Sequence, residues 1–439
     1  MPVTRYRRSA AVAVCVVGSL TLAACSSGSG SGSSGNGKVT LTFLEKWPEP
    51  QYAPYFKSVV AAYEKQNPNV TIKLMAVGDQ PIKDKLRVLA ASHKLPDIYF
   101  SWAGNYAEKF VKAGLAADLT KDLKGTAWGK SLSSTAVDAF TFDGKNYGVP
   151  VDLDAKVFVY NKAMFKKYGI QVPTTMDDLY KTCGTLKQHG VLPIGFGNQF
   201  GWPAIHYLTA LNAESVPRNV READYAGNKD AKFSNPGYVK ALNTLTKIQK
   251  TCMSSSGVNG VSHDSARAGW SNGKSAMIYV ETLEFPDIAT ANKSTKLGTD
   301  WGFFKMPSIP GAQGTSDTIV GAPDGFLVNG QSPNKDAAVK FLKFFTNKAN
   351  GQKMVKQLGW LSPVNGSATP QNTTPQMSAA LKAINKASHF DIWLDTVTKT
   401  QVASAYLSGT EGLLSGGKDA SAVMKSVQDA AKQSQDSAE

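Results

Sequence analysis

Residues 39–100 switch repeatedly between two hydrophobic periodicities, and this alternation limits the possible folds more than any other feature of the chain. Apolar and polar residues alternate at 39–43 and 70–74, which predicts strands, and residues 97–100 form another short strand. Residues 56–63 and 82–89 instead carry apolar side chains at helical spacing. Strands that alternate with helices in this way predict a parallel sheet that helices cover on both faces.

The alternation starts again after residues 145–152, which we interpret as a crossover between two lobes. A strand is predicted at 156–160 and a helix at 175–189, with Thr174 and Asp177 at the spacing of a helix N-cap. We also expect strands at 192–196, 276–280 and 301–305, helices at 203–212, 237–251 and 262–270, a strand-like segment at 318–328 and a helical run at 335–358. The restart predicts a second α/β lobe.

The N-terminal residues look like an export signal followed by a tether. Three arginines precede an apolar run at 10–22, which is well short of the roughly 20 residues that span a membrane and is typical of a secretory signal peptide. Residues 22–25 (LAAC) resemble the lipobox of bacterial lipoproteins, in which cleavage precedes a lipidated cysteine. The resemblance implies a signal peptide at 1–24, a lipidated Cys25 and a flexible Ser/Gly tether over 25–37. An ordinary signal peptide with a coincidental cysteine is the alternative.

Length and charge limit the partners of the mature chain. A chain of 439 residues favours two lobes over a single core even without its signal. Its net charge of +14 is spread thinly along the sequence, so we expect no nucleic-acid binding. No segment after Cys25 is long and apolar enough to span a membrane. The expected location is therefore the extracytoplasmic face of the bacterial cell membrane, with the lipid as the only membrane anchor.

Several stretches, in a fixed order over most of residues 39–430, resemble the extracellular solute-binding proteins that feed carbohydrate importers of the ATP-binding-cassette (ABC) class. These are the family 1 relatives of maltose-binding protein. The stretches are 95–102 (LPDIYFSW), 147–150 (YGVP), 159–162 (VYNK), 272–277 (NGKSAM) and 337–342 (AAVKFL). The chain departs from the family pattern at 279–284 (YVETLE), where relatives often carry a Gly and a Trp.

The resemblance implies an α/β, two-lobed, periplasmic-binding-protein-like (Venus flytrap) fold with hinge crossovers between the lobes. Lobe 1 is expected to hold residues 38–149 plus 315–363, and lobe 2 residues 152–310 plus 370–439. The implied protein is a monomer that binds a carbohydrate, in our interpretation an oligosaccharide, and delivers it to the permease subunits of an ABC-type importer. The identity, length and linkage of the sugar stay open.

The loops after the predicted strands carry the side chains that a sugar needs. Open α/β sheets bind ligands at the carboxyl ends of their strands, where aromatic faces stack on sugar rings and carboxylates or amides bind hydroxyls. By resemblance Trp202 matches an aromatic that stacks on sugar in relatives, and Trp393 is a second, weaker match. Core packing of the tryptophans and solvated loops for the acids are the alternatives. The candidate ligand-binding residues are Glu45, Trp47, Trp102, Asn105, Asp152, Asp154, Asn198, Trp202, Glu281, Glu284, Asp324, Trp360 and Trp393.

Two cysteines remain after Cys15 leaves with the signal and Cys25 is lipidated. Cys183 and Cys252 are an even pair in an oxidising location. Family topology lets the helices that carry them lie near one another, so the resemblance makes them a candidate disulfide, with two buried free thiols as the alternative. The five histidines are scattered and no zinc-type motif is present, so we expect no metal site and no cofactor.

Three sequence features suggest an enzyme, and none has the required context. Residues 269–275 contain a Gly-x-Ser-x-Gly motif, but a predicted helix precedes it and a strand follows, which reverses the order of a nucleophile elbow. The same residues are one short of phosphate-loop spacing. The pairs Asp152/Asp154 and Glu281/Glu284 are local and do not predict a glycosidase pair across a cleft. We therefore predict a binding protein, with an extracellular glycoside hydrolase, or a sugar-binding sensor or adhesin without transport, as the alternative.

Overall fold

Short strands recur along the whole described part of the chain. In this computed structural model the described residues are 37–254, 256–291, 300–315, 318–387 and 389–436. The predicted signal peptide, Cys25 and the tether up to Asn36 lie outside them. In chain order the strands are β1 (Val39–Glu45), β2 (Val70–Ala76), β3 (Ile98–Trp102), β4 (Thr141–Phe142), β5 (Lys145–Asn146), β6 (Gly148–Pro150), β7 (Lys156–Asn161), β8 (Leu192–Gly195), β9 (Ser275–Glu281), β10 (Trp301–Phe304), β11 (Thr318–Val320), β12 (Asp324–Val328) and β13 (His389–Asp391).

Helices connect most of these strands. They are α1 (Ala53–Gln66), α2 (Asp79–Ala91), α3 (Asn105–Lys112), α4 (Thr120–Leu123), α5 (Ala127–Lys130), α6 (Ser134–Asp138), α7 (Lys162–Lys167), α8 (Met176–Gln188), α9 (Trp202–Ser215), α10 (Arg218–Ala226), α11 (Pro236–Cys252), α12 (His263–Ser271), α13 (Phe285–Ala291), α14 (Lys335–Phe345), α15 (Lys348–Leu358), α16 (Pro375–Lys386), α17 (Leu394–Val397), α18 (Thr400–Leu414) and α19 (Ala420–Asp436). Within the described ranges, no helix is both long and apolar enough to cross a membrane.

The first large sheet has the strand order β2-β1-β3-β12-β6. β1 runs parallel to β2 and β3, as the alternation at residues 39–100 predicts. The parallel pairing expected from residues 39–100 is confirmed for these strands, but the whole sheet is mixed, because β12 is antiparallel to both β3 and β6. The chain returns to this sheet more than 150 residues later in sequence than β6, and β12 starts at the edge where β3 ends, so that Asp324 pairs with Trp102.

The second large sheet has the order β10-β7-β9-β8, and only β8 and β9 are parallel. β7 runs antiparallel to β9, so its first residue, Lys156, lies opposite the last residue of β9, Glu281. The restart of the alternation after residues 145–152 is therefore a second sheet, and the sheet has mixed rather than parallel pairing.

The strand-like segment 318–328 is two strands in different sheets. β12 belongs to the first large sheet, whereas β11 pairs with β13 in a small sheet of its own. The strands separate after Gly321, where the backbones pack so closely that a Cβ atom would lie 2.1 Å from the carbonyl oxygen of Asp154. Hydrophobic pattern alone does not reveal this close approach, because the residues on both sides of it are apolar.

Each large sheet is covered by its own apolar cluster. Phe43 in β1 packs edge-to-face on Phe326 in β12 and Phe341 in α14, with ring centroids 4.7 and 5.4 Å apart. In the second sheet Phe158 stacks on Phe304 at 5.1 Å and meets Tyr207 of α9 at 5.7 Å. Aromatic pairs of this kind add about 0.5–1.5 kcal/mol to the stability gained from burial.

Local signals place the helix ends. The N-cap expected at Thr174 lies one residue later, because the Thr175 hydroxyl accepts from the Asp178 N–H and the Asp178 carboxylate accepts from the Thr175 N–H. The helical run expected at 335–358 is two helices, since the Asn347 side chain caps the start of α15. Cys183 of α8 and Cys252 of α11 are fully buried and form a disulfide with their Cα atoms 5.2 Å apart.

Candidate functional site

The two large sheets end at a common cleft. Lys46 and Trp102 lie where β1 and β3 end, and Asp324 joins them because antiparallel β12 begins at that edge. From the second sheet, Glu281 ends β9 and Trp202 begins α9 after β8. These positions fit the rule that α/β sheets present ligand-binding residues at the carboxyl ends of their parallel strands.

The inner part of this cleft is a cavity of about 100 Å³. Acidic, basic and aromatic side chains from both sheets line it: Lys46, Asp79, Lys83, Trp102, Asp154, Trp202, His206, Glu281, Asp324, Trp393, Asp395 and Thr396. The outer part is a wider cleft of about 420 Å³ that shares Lys46, Asp79, Trp202 and Glu281 with the inner cavity. It adds, among others, Trp47, Glu49, Tyr52, Phe200, Arg267, Glu284, Asp287 and Trp360.

Two larger depressions lie elsewhere on the described surface. One, of about 610 Å³, is next to α16, and the other, of about 720 Å³, is next to α4, α5 and α6. Neither lining includes a Trp, Tyr or Phe among the described residues. Ligand sites combine apolar and aromatic walls with a few convergent polar groups, and the cleft between the sheets has that combination.

Lys46 is the central cation on the first-sheet side. Its Nζ lies 2.8 Å from Asp324 Oδ2 and 3.3 Å from Asp79 Oδ1, and 4.8 and 5.1 Å from the ring centroids of Phe100 and Trp102. Burial alone would lower the pKa of Lys46, but the two carboxylates outweigh it and hold the pKa above its usual value. Burial raises the pKa of Asp324 to about 6, although Lys46 opposes this.

Lys156 has the corresponding place on the second-sheet side. Its Nζ lies 3.2 Å from Glu281 Oε1, and His206 Nδ1 lies 3.3 Å from the same oxygen. Burial raises the pKa of Glu281, but Lys156 and His206 outweigh burial and bring the pKa well below its usual value. Burial, with Lys156 nearby, lowers the pKa of His206. The cluster therefore holds an ionised Glu281 next to a neutral imidazole.

Trp202 is half-buried and contacts both parts of the cleft. Lys156 Nζ lies 4.7 Å from its ring centroid, and the imidazoles of His206 and His263 lie 4.9 and 4.8 Å away. His206 also stacks on Trp393 at 4.0 Å. An aromatic ring with three such neighbours and one partly exposed face suits a surface against which a flat ligand face packs.

The acids at the crossover differ in their access to the cleft. Asp154 Oδ1 accepts from the Ala155 N–H at 2.9 Å and from the Thr282 hydroxyl at 2.8 Å, and its side chain lines the inner cavity. Asp152 is fully buried beneath it and accepts from the Asp324 N–H at 2.9 Å. Burial raises the pKa of both aspartates well above the usual value, and nearby carboxylates add to the effect.

Direct contacts join the two sides of the cleft. The Tyr52 hydroxyl on the first-sheet side donates to Asp287 Oδ2 on α13 at 2.8 Å. At another point α3 packs so closely on α17 that a Cβ at Gly104 would lie 3.1 Å from the Thr396 carbonyl oxygen. The structure therefore has the two sides in contact around the cavity.

The family model of the bacterial extracellular solute-binding proteins matches residues 47–352, a range that includes strands of both sheets and most of the cleft. This chain belongs to that family. It is 24% identical, over 89% of its own length and 89% of the relative's, to the multiple sugar-binding protein of Streptococcus mutans.

Solved structures agree with the family assignment at the level of the fold. A chitin oligosaccharide binding protein matches with a TM-score of 0.83 and 22% identity over 92% of this chain and all of that one. A structure from work on xylan utilisation by Caldanaerobius polysaccharolyticus gives a TM-score of 0.81 and 24% identity over 91% of this chain and all of that one. The fold of this solute-binding protein is therefore two-lobed and α/β.

The cleft of this solute-binding protein contains most of the residues predicted from sequence. The inner cavity holds Trp102, Asp154, Trp202, Glu281, Asp324 and Trp393, and the outer cleft adds Trp47, Glu284 and Trp360. Trp47 and Trp360 are only 6% and 1% exposed, so they are mainly core residues that form the floor of the outer cleft. Glu284 is held by His263 at 2.8 Å and Arg267 at 3.3 Å. Burial would raise the pKa of Glu284, but these two partners lower it to about 2.

Four predicted residues are outside the lining of the cleft. Glu45 and Asp152 are fully buried. The Asn198 side chain accepts from the Ala204 N–H at 3.0 Å and donates to Asn259 at 2.9 Å, which holds the loop before α9. The Asn105 side chain donates to Glu108 within its own helix at 2.8 Å. In each case the structure shows a local role that competes with contact to a ligand.

Several lining residues were not predicted. Lys46 lies between Glu45 and Trp47, which were both predicted. The alternation of side chains along the strand would have indicated that Lys46, and not Glu45, points into the cleft at the end of β1. His206 is one helical turn after Trp202, so the helix that presents the tryptophan also presents the imidazole. Two helices, α2 and α17, contribute Asp79, Lys83, Asp395 and Thr396 to the lining, and no sequence signal connects these helices to the cleft. Among the described residues no cluster of three or more His, Cys, Asp or Glu side chains is arranged to hold a metal ion.

Proposed function

We propose that this solute-binding protein binds an oligosaccharide in the cleft between its lobes and delivers it to an ABC-type importer without altering it chemically. The observation that most supports this proposal is that carboxylates, lysines and tryptophan rings from both sheets line one cavity. Hydroxyl groups need acceptors and donors in fixed directions, and sugar rings need flat apolar surface. Family membership supports the assignment, as do the names of the sugar-binding relative and the chitin oligosaccharide-binding structure.

The proposal extends to how the chain is divided. We propose that lobe 1 comprises residues 38–149 plus 315–363 and lobe 2 residues 152–310 plus 370–439. The topology supports the return to lobe 1, because β12 joins the sheet of β1 and β3 after the chain has built the second sheet, whereas β11 pairs with β13 from the range proposed for lobe 2. The lobes close around the ligand by rotating about the crossovers, as binding proteins with hinges between two domains do.

We further propose that the mature protein is a monomer anchored by lipid at Cys25 to the extracytoplasmic face of the membrane. The lipobox-like residues 22–25 and the Ser/Gly composition of the tether support this. A flexible tether keeps the lobes close to the permease subunits and lets the closed form turn toward them.

A sugar panel tests the proposal directly. Thermal unfolding of the tether-free protein is measured with xylo-oligosaccharides, N-acetylchito-oligosaccharides, malto-oligosaccharides and the raffinose series, each from mono- to pentasaccharide. A ligand that binds only the native state raises the unfolding midpoint, so at least one series should do so. Chromatography of the same mixtures should show uncleaved sugar. No response to any series, or release of shorter products, would contradict the proposal.

Two tryptophan variants then locate the site. Trp202→Leu removes the half-buried indole of the cleft, and Trp128→Leu is the matched control, since Trp128 lies in α5 and donates to Thr346 outside the cleft. We expect Trp202→Leu to weaken binding of the best sugar by about 10- to 100-fold, from lost apolar area and ring contact. The control should stay within about threefold of the parent if calorimetry is done on folded protein. Equal losses in both variants would place the ligand elsewhere.

A further inference from the structure

Phe200 is exposed at the outer part of the cleft. It is the aromatic member of the small set of exposed large apolar side chains in the described chain, with 49% of its surface accessible. The others, all aliphatic, are Val88, Val172, Leu192 and Val261. Single exposed apolar residues are common on protein surfaces, so the exposure of Phe200 matters only because of where it lies, on the wall of the outer cleft that Tyr52 also lines.

The loop that carries Phe200 is held at both ends. The Asn198 and Gln199 N–H groups donate to the carbonyls of Val258 and Val261 at 2.8 and 3.0 Å. Gly201 has a φ of 75°, and a Cβ there would lie 2.9 Å from a methyl group of Leu407. The loop is therefore fixed by its hydrogen bonds and by a glycine that no other residue replaces without strain.

A fixed loop has a consequence for binding. A backbone that is already held in place loses little conformational freedom when a ligand covers the side chain that it carries. The Asn198 side chain helps to hold the loop. It connects the loop to the first turn of α9 through Ala204 and to the segment after α11 on the second-sheet side through Asn259, and it does not line the cleft.

The two parts of the cleft differ in character. The inner cavity, of about 100 Å³, is the more enclosed and is lined mostly by charged groups and tryptophans. The outer cleft, of about 420 Å³, opens to solvent, and Phe200 lines only this part. Because both parts share Trp202 and Glu281, a ligand that fills the inner cavity continues past Trp202 into the outer cleft.

Building on the proposed function, we infer that the inner cavity takes the terminal unit of an oligosaccharide and that Phe200 is the stacking platform for a later unit in the outer cleft. Trp202 then contacts the terminal unit and Phe200 a unit closer to solvent. Phe200 therefore determines the preference for chain length and contributes nothing to the binding of a monosaccharide.

Calorimetric titration of the length series tests this inference. The probes are the mono- to pentasaccharides of whichever series stabilises the parent, and the variants are Phe200→Ala, Phe200→Tyr and the control Val88→Ala, at an exposed position of α2 outside the lining of the cleft. We expect Phe200→Ala to leave monosaccharide affinity within about twofold and to weaken binding of the longer sugars by about 5- to 30-fold. Phe200→Tyr keeps the ring and should restore parental affinity at every length. Val88→Ala should match the parent throughout.

The outcomes separate the inference from the function on which it rests. If the parent binds none of the series, the proposed function fails and the inference with it. If the parent binds sugars but Phe200→Ala loses affinity equally at all lengths, or at none, only the inference fails. A parent that binds the monosaccharide as tightly as the longer sugars would also overturn it, since no outer contact would then add affinity.

Discussion

Glu45→Gln is the change that best separates a ligand contact from a buried structural acid. Glu45 ends β1 with no exposed surface, and the Trp47 N–H donates to its Oε2, while Oε1 has no hydrogen-bond partner among the described residues. Burial raises the pKa of Glu45 from its usual 4.5 to about 7, although the Trp47 N–H opposes this and Glu49 adds to it. The strand-end position predicts a sugar contact, whereas this environment indicates a group that is costly to ionise.

The size of the effect follows from the pKa. Because the native state keeps the proton of Glu45 to higher pH than the unfolded chain does, the free energy of unfolding falls as the pH rises from 4.5 toward about 7. At about 1.4 kcal/mol per unit of pKa, the full loss above that range is about 3 kcal/mol. Glutamine keeps the acceptor for the Trp47 N–H and cannot ionise, but its unpaired amide costs about 1 kcal/mol. The net gain at about pH 8.5 is therefore roughly 2 kcal/mol.

Differential scanning calorimetry at two pH values checks this. For a chain of this length 1 kcal/mol corresponds to about 1–2 °C, so Glu45→Gln should melt about 2–4 °C above the parent at about pH 8.5. At about pH 5 the parent is protonated, and the variant should melt at the same temperature or slightly lower. Asp230→Asn, which removes the same charge at an exposed loop position, is the control and should change little at either pH. A variant that melts lower than the parent at both pH values would refute the reasoning, and a sugar affinity weakened more than about 30-fold would restore Glu45 as a ligand contact.

Three further changes have definite expected outcomes. Removing the disulfide with Cys183→Ala and Cys252→Ala, whose sulfurs close a loop over a sequence separation of 69, should lower the free energy of unfolding by up to about 4 kcal/mol in denaturant titrations, and an unchanged midpoint would contradict this. Lys46→Met leaves the buried Asp324 without its cation and should lower the free energy of unfolding by about 3–5 kcal/mol at neutral pH. The loss should be smaller at about pH 5, because Asp324 is protonated there. A loss of stability that does not change with pH would count against the ion pair. Cys25→Ser in the full chain should abolish metabolic labelling with palmitate, and persistent labelling would show another attachment site.

The sequence predicts the positions of strands well where burial is periodic, but it predicts their pairing and direction poorly, because these depend on the topology of the whole chain. The alternation in residues 39–74 gives β1, α1 and β2 because each element buries one face against its neighbours. It does not give the direction of β12, because a strand buried on both faces reads the same whichever way it pairs. The sequence does not predict the break between β11 and β12 either, because a close approach of two backbones does not change the hydrophobic pattern.

The site was predictable to the extent that strand ends define it. That rule finds Trp102, Trp202 and Glu281, all of which line the inner cavity. The strand-end rule alone does not say which of two adjacent residues enters the cleft, and it has to be combined with the alternation of β1, which puts Glu45 on the buried face and Lys46 on the other. It also cannot separate a ligand contact from a side chain that holds its own loop, as Asn198 does.

The arrangement of the two lysines explains how a cleft with so many carboxylates is stable before a ligand arrives. Lys46 is paired with Asp324, and Lys156 with Glu281, each from the same sheet as the lysine. Each ion pair is therefore made on one side of the cleft and needs no contact with the other sheet. An ion pair that bridged the lobes would hold them shut without ligand, whereas pairs within each lobe leave the carboxylates fixed in direction and ready to accept hydroxyls. In the proposed closure about the crossovers neither ion pair has to form or break, so the equilibrium between open and closed forms can respond to a ligand that contacts both sheets.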